Sequence, residues 1–154
     1  MVKPKRVLTV KDESEDTFLH TPSARVEDPK DPELKNLFEE MFATAKHEDG
    51  IGIAAPQIGV ALKVIAVTLP NQKFILMNPE IVWSSRKQDI IEEGCLSVPG
   101  KYGPVRRPIA VKVHALNDKG DPVVVKADGL SARVLQHEID HINGTLYIDR
   151  IAKQ

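Results

Sequence analysis

Residues 136–147 read QHEIDHINGTLY. An α-helix turns once in about 3.6 residues, so His137 and His141 fall on one helical face with Glu138 beside them. Two imidazoles so spaced suit a divalent cation, and a glutamate next to them but outside the ligand set suits proton transfer. Val134, His137, Glu138 and His141 share one strip of this helix, while Leu135, Ile139 and Ile142 form the neighbouring apolar strip. Burying the apolar strip places the histidines at the edge of the core, in the wall of a cleft. The pattern predicts a helix from Leu130 to Asn143, with Asn143-Gly144 as its stop. From the composition of this chain, chance would assemble such a motif about 1% of the time.

A catalytic cation usually takes about three protein ligands and keeps one position open. One large peptidase class has its third ligand, a histidine, where this chain has Tyr147. A downstream acid, used by another class, is represented after His141 only by Asp149. The third ligand is therefore expected upstream. His20 sits in an irregular arm, His47 on the polar side of a helix end, and His114 on the outer face of the alternating run IAVKVHAL; all three read as solvated. Cys95 lies in EEGCLSVPG, where Gly94, Pro99 and Gly100 bend the chain. A lone cysteine is more often a small buried hydrophobe. With His137 and His141 it would nonetheless complete a Cys-His-His site suited to iron or zinc.

The rest of the chain frames that helix. With 154 residues, 42% hydrophobic and 28% charged, it is expected to form a single domain, residues 1–154, with a full core. A net charge of −1 gives no electrostatic reason to expect nucleic acid or an anionic membrane as partner. No apolar run has the length of a secretion signal or a membrane span, and one cysteine makes no internal disulfide, so a cytoplasmic location is expected. A monomer is the expected state. Residues 11–32, rich in acids and turn formers, read as an irregular segment laid over the core. Leu34, Leu37, Phe38, Met41, Phe42 and Ala45 make a helical stripe, with Asp31 as cap, Pro32 in the first turn and Gly50 as the end. ALKVIAVTL, KFILMN and EIVWSS read as strands separated by turns at Pro70-Asn71 and Asn78-Pro79. IAVKVHAL and DPVVVKA flank a further turn from Asn117 to Gly120. The fold class is thus α+β, with antiparallel sheets around a central helix that carries the H-E-x-x-H motif, and a helix nearer the N-terminus.

The stretch DGIGIAAPQIG invites a dinucleotide-binding reading, but it follows a helix and runs into Pro56, so that reading fails. Paired glycines let another backbone approach, as a peptide added as an edge strand requires, and Gln57 supplies a neutral amide donor for an oxyanion. A tight connection with a solvent-facing glutamine is the plainer alternative.

Taken together, GIGIAAPQIG, EEGCLS and QHEIDH resemble the three motifs of the peptide deformylases, G-x-G-x-A-A-x-Q, E-G-C-x-S and Q-H-E-x-D-H, in the family's order. The resemblance spans roughly residues 35–150, with Ile53 where the family usually has Leu. It implies a metal hydrolase that removes the N-terminal formyl group from formyl-methionyl peptides and nascent chains, with Cys95, His137 and His141 as ligands. It further implies Fe²⁺ as the native metal, replaceable by Zn²⁺, Ni²⁺ or Co²⁺. In the implied mechanism hydroxide formed at the metal attacks the formyl carbonyl, with Glu138 as general base and then acid, and Gln57 and the Leu96 N–H hold the oxyanion. The implied pocket for the methionine side chain is lined by Gly50, Ile51, Ile91, Glu92, Leu130, Val134 and His137, with Gly52 against the peptide backbone. Gln136 and Asp140 are expected to support the ligands from behind, and Arg107 to pair with a carboxylate. A bacterial-type, ribosome-proximal enzyme is implied, with organellar origin open; the chain stops soon after Arg150, so tail-dependent docking is not carried over. A peptidase using the same helix and a catalytically silent binder of nascent N-termini are the rival readings.

Overall fold

The computed structural model describes residues 2–152. Helix α1 spans Glu13–Leu19 and α2 Leu34–His47. Strand β1, Gly52–Ala54, leads into a 3₁₀ turn at Ala55–Ile58. The strands β2 (Val64–Leu69), β3 (Gln72–Ser84), β4 (Gln88–Cys95), β5 (Val98–Pro108), β6 (Ala110–Leu116) and β7 (Pro122–Asp128) follow. Helix α3, Gly129–Ile142, and a 3₁₀ turn at Tyr147–Arg150 complete the order. One sheet runs β1-β2-β3-β6-β7 and a second is the hairpin β4-β5, all antiparallel. The α+β expectation is met.

Strand β2 is buried on both faces, and its alternation decides what each face meets. Ile65, Val67 and Leu69 join Leu135, Ile139 and Ile142 of α3 in one apolar cluster. Val64 and Ala66 join Leu37, Phe38, Met41 and Ala45 of α2 in another. The sheet is thus held between the two helices, and the apolar strip of α3 lies against it as its periodicity predicts. The left-handed Gly144 (φ 81°) follows Asn143, the C-cap of α3, as expected of a helix stop. There a Cβ would come within 2.8 Å of the His20 carbonyl, so the glycine also lets the arm pass.

Four expectations are corrected. The arm 11–32 contains a helix, α1, because the Asp12 carboxylate caps it at the Glu15 N–H (3.0 Å) and Leu19 is fully buried at its end. Asp31 accepts from the Glu33 N–H at 2.9 Å, just before α2, whose N-cap position is Glu33. At the other end the left-handed residue is Asp49 (φ 56°), one position before Gly50. KFILMN and EIVWSS are one strand, β3, irregular in register after Met77.

Asn78 takes φ 51° without turning the chain back, because its side chain is held by another segment. Its Oδ1 accepts from the Val26 N–H at 2.8 Å, and its Nδ2 donates to the Val26 carbonyl at 3.1 Å. The Val26 backbone reproduces what a neighbouring strand would offer, so β3 bends and continues toward β6. Asn78→Ala removes both bonds and leaves a Cβ in a left-handed conformation. It should cost about 1–3 kcal/mol in denaturant unfolding, the range for unpairing buried backbone groups.

The β4-β5 hairpin, which the sequence presents only as a bend, is the largest addition. Its backbone ladder runs from Gln88↔Pro108 to Cys95↔Val98, leaving Leu96 and Ser97 as the two-residue connection. The hairpin stands across from the exposed side of α3 and so forms the second wall of a cleft.

Candidate active site

The cleft encloses about 580 Å³ between the start of β1, the hairpin and α3. Cys95 ends β4, and the two-residue connection that follows turns its side chain toward α3. Its Sγ lies 3.2 Å from His141 Nε2, and the donor atoms of Cys95, His137 and His141 all fall within 4.8 Å of one another. Tetrahedral coordination by one thiolate and one imidazole separates S from N by about 3.5 Å, so this grouping fits a single cation with little movement. The chemistry of the donor set and two buried polar atoms without hydrogen-bond partners, His141 Nδ1 and Glu138 Oε1, agree with that fit.

A carboxylate orients the first imidazole. Glu93 Oε1 accepts from His137 Nδ1 at 2.8 Å, which leaves Nε2 for the thiolate side. Two arginines hold Glu93 in turn. Arg107 donates Nε to its Oε2 (2.6 Å) and Nη2 to its Oε1 (3.0 Å), and Arg133 donates Nη1 to Oε2 (2.6 Å). Arg107 also reaches Asp140 at 2.9 Å, and Arg150 closes on the same carboxylate at 2.6 and 2.9 Å. Burial alone would push the Glu93 carboxyl up, but His137 and Arg107 bring it down to about 2. Burial also opposes charge on His137; the Cys95, Glu138 and Glu93 groups around it outweigh that and raise it well above the ordinary histidine range. His141, buried and facing His137 and Arg107, is pushed well below that range.

Glu138 is different. It is 4% exposed, its Oε1 has no partner among the described residues, and burial pushes its carboxyl up to about 7. Gln57 stands nearby on the 3₁₀ turn after β1 and is buried, against the solvent-facing alternative. Its Oε1 accepts from the Ala54 N–H (2.9 Å), which fixes the amide so that Nε2 points at Ser97 Oγ (3.2 Å) and Cys95 Sγ (3.7 Å).

The structure brings the expected residues together. Gly50, Ile51, Gly52, Ile91, Glu92, Leu130, Val134, His137, Glu138, Gln57, Cys95 and Leu96 all line the cleft, and His141 lies buried behind it. His20 and His47 do not approach it: the former bonds Asp149 at 3.0 Å and the latter faces Glu48 at 3.4 Å. His114 is exposed on β6. Gln136 turns away to the Pro108 and Ala132 carbonyls, both at 3.0 Å.

Gly52 has a tighter reason than an approaching peptide. A Cβ there would meet Glu138 Oε2 at 2.7 Å and Val134 Cγ1 at 2.9 Å, so the strand must be bare for the glutamate to keep its place. Gly52→Ala should therefore shift Glu138 and lower kcat/KM by about tenfold or more, given that a displacement near 1 Å can cost 10²-fold. The crowding against buried Val134 should also cost about 1–3 kcal/mol of stability, which denaturant unfolding would check.

Sequence reasoning missed Glu93, Arg133, Asp89 and Ser97. Glu93 was reachable in principle, since it lies two residues before Cys95 on a strand and hence on the same face.

A family model described as polypeptide deformylase matches residues 4–154. The chain belongs to the polypeptide deformylase family. Peptide deformylase 1 of Clostridium acetobutylicum is 41% identical over 138 residues, 90% of this chain and 91% of that one. The deformylase fold is matched by the crystal structure from Thermotoga maritima at a TM-score of 0.91 and 35% identity, covering 97% of this chain and 99% of that chain. The Synechococcus elongatus deformylase, solved in complex with actinonin, gives 0.91 and 37% identity over 100% of this chain and 82% of that one. This deformylase is accordingly a hydrolase with a three-donor metal group, and no helix among its described residues is long and apolar enough to cross a membrane.

Proposed function

We propose that this chain removes the N-terminal formyl group from formyl-methionyl nascent polypeptides and releases formate. The observation that carries the reading is Glu138: a carboxylate with one oxygen buried and unpartnered, lining a cleft beside the grouped donor atoms of Cys95, His137 and His141. A folded protein leaves such an oxygen without a partner at a cost, and a water molecule to be deprotonated is what it suits. Cys95, His137 and His141 would hold a divalent cation, which would supply Lewis acidity and lower the pKa of a water molecule. Fe²⁺ is proposed as the native ion, with Zn²⁺, Ni²⁺ or Co²⁺ as substitutes, since one thiolate and two imidazoles form a borderline-soft donor set.

Glu138 takes a proton from the attacking water and later gives it to the leaving amine, so one carboxyl serves both steps. Its pKa near 7 suits a group that must accept and return a proton at neutral pH. The Gln57 amide, already aimed into the site by its bond from Ala54, and the backbone N–H of Leu96 stabilise the tetrahedral oxyanion. Gly50, Ile51, Ile91, Glu92, Leu130 and Val134 receive the methionine side chain, and the segment up to Gly52 takes the peptide as an added strand. The enzyme acts as a cytoplasmic, bacterial-type monomer on chains close to the ribosome. Formate release from a formyl-Met-Ala peptide, beside an acetylated peptide and one with only internal bonds, tests the reading. Turnover confined to the formyl peptide supports it, and cleavage of internal bonds alone would replace it with a peptidase.

A further inference from the structure

The two groups given to the oxyanion stand on separate sheets. Gln57 follows β1 of the five-stranded sheet, and Leu96 lies in the connection of the β4-β5 hairpin. A side-chain bond joins the two loops, from Gln57 Nε2 to Ser97 Oγ, and at 3.2 Å it is at the long end of the range for N–H···O. A second tie comes from the N-terminal segment. The Leu8 N–H donates to the Gln57 carbonyl at 2.8 Å, and the Val10 N–H donates to the Ser97 carbonyl at 3.0 Å. The intervening Thr9 N–H serves Glu15 Oε1 instead, at 3.0 Å. Glu15, on α1, also receives Nη1 and Nη2 of Arg6 at 2.9 and 3.1 Å, and the Lys5 N–H donates to Thr44 Oγ1 on α2 at 2.8 Å. Val7 is buried, while Leu8 and Val10 pack against Val98, Val105 and Tyr147. Alternate amides of this segment thus grip the two loops, and the amide between them is held from α1.

We propose that Leu8–Val10 is a positioning strap that fixes the separation of the Gln57 amide and the Leu96 N–H, and that Glu15 is its latch. The inference rests on the deformylase reading for what those two donors do. The carbonyls that the strap grips belong to Gln57 itself and to Ser97, the residue after Leu96, so each donor is held within one residue of its own place. Donors aimed at an oxyanion act only where they are placed beforehand, because a displacement near 1 Å can cost about 10²-fold. The strap's own side chains do not line the cleft, so its effect passes through the two donors. Negative charge on the formyl oxygen develops in the transition state and not in the bound substrate. A loosened strap therefore lowers kcat and leaves KM nearly unchanged.

Val10 is the second residue of the turn Thr9–Asp12, closed by the Asp12 N–H on the Thr9 carbonyl at 3.4 Å, and that position favours proline. Val10→Pro thus removes the donor to Ser97 with little other disturbance, whereas Val10→Ala keeps it. In zinc-loaded proteins of equal metal content, Val10→Pro should lower kcat for formyl-Met-Ala by about tenfold or more beyond Val10→Ala, with KM within about twofold. Glu15→Ala, which frees Arg6 and Thr9 from outside the cleft, should lower kcat in the same way by less. Glu15→Gln keeps an acceptor for the Thr9 N–H and should restore part of that loss; this pair decides the matter if Val10→Pro does not fold. In heteronuclear NMR spectra the Leu96 amide and the Gln57 side-chain amide should be displaced together in Val10→Pro and Glu15→Ala, which a fall in global stability alone does not produce. A folded Val10→Pro whose kcat matches that of Val10→Ala, a loss confined to KM, or unmoved Leu96 and Gln57 signals overturns the proposal. Displaced signals in a protein whose wild type shows no formyl-Met-Ala turnover would instead overturn the deformylase reading and leave the strap standing.

Discussion

Glu138→Ala should retain its metal and lose deformylation of formyl-Met peptides by about 10²–10⁴-fold or more, the range expected when a general base is removed. The loss should fall on kcat, because the carboxylate acts on water and on the leaving amine and makes no ground-state contact with the methionine side chain. The same substitution should raise the melting temperature. A carboxylate that is 4% exposed with an orphaned oxygen is a cost to the fold, and taking it away relieves that cost. Lower activity with higher stability distinguishes a functional buried acid from a structural one, which would lose both. Near-normal turnover in this variant would remove Glu138 from the mechanism.

Cys95→Ala should reduce the metal content from about one ion per chain to near zero in elemental analysis. Supporting residues around a metal site already cost 10–100-fold in affinity when removed, and loss of one of three protein ligands exceeds that. Activity should vanish with the metal. The fold should survive, because Cys95 lies at the end of a hairpin whose ladder of backbone bonds does not depend on its side chain. Unchanged metal content would mean that sulfur is not a ligand.

The parts of this molecule that were legible in its sequence are those where local pattern and tertiary role coincide. Helix α3 carries two strips side by side, an apolar one spaced for packing and a polar one spaced for chemistry, and both periods survive into the structure. The paired glycines and Gln57 were readable as a site once the other two motifs stood beside them. What was hidden depends on distant partners. Asn78-Pro79 has the composition of a turn, and only the Val26 backbone, far away in sequence, makes it a bend within a strand. The hairpin was illegible because QDIIEE is exposed along most of its length and GKYGP reads as loop; its order comes from backbone pairing, which composition does not announce. Glu92 and Glu93 are indistinguishable as letters, yet one lines an exposed wall and the other is the buried hub of three cationic or imidazole partners. Arg133 carries no signal of its own in the sequence, because its bonds to Glu93 and Asp89 depend on a hairpin distant along the chain.

X-ray absorption at the metal edge of anaerobically purified protein tests the central arrangement most directly. One sulfur near about 2.3 Å and two imidazole nitrogens near about 2.0–2.1 Å, with a light scatterer in the remaining position, is the shell expected from Cys95, His137 and His141. A shell without sulfur, or one closed by four protein donors, would contradict it.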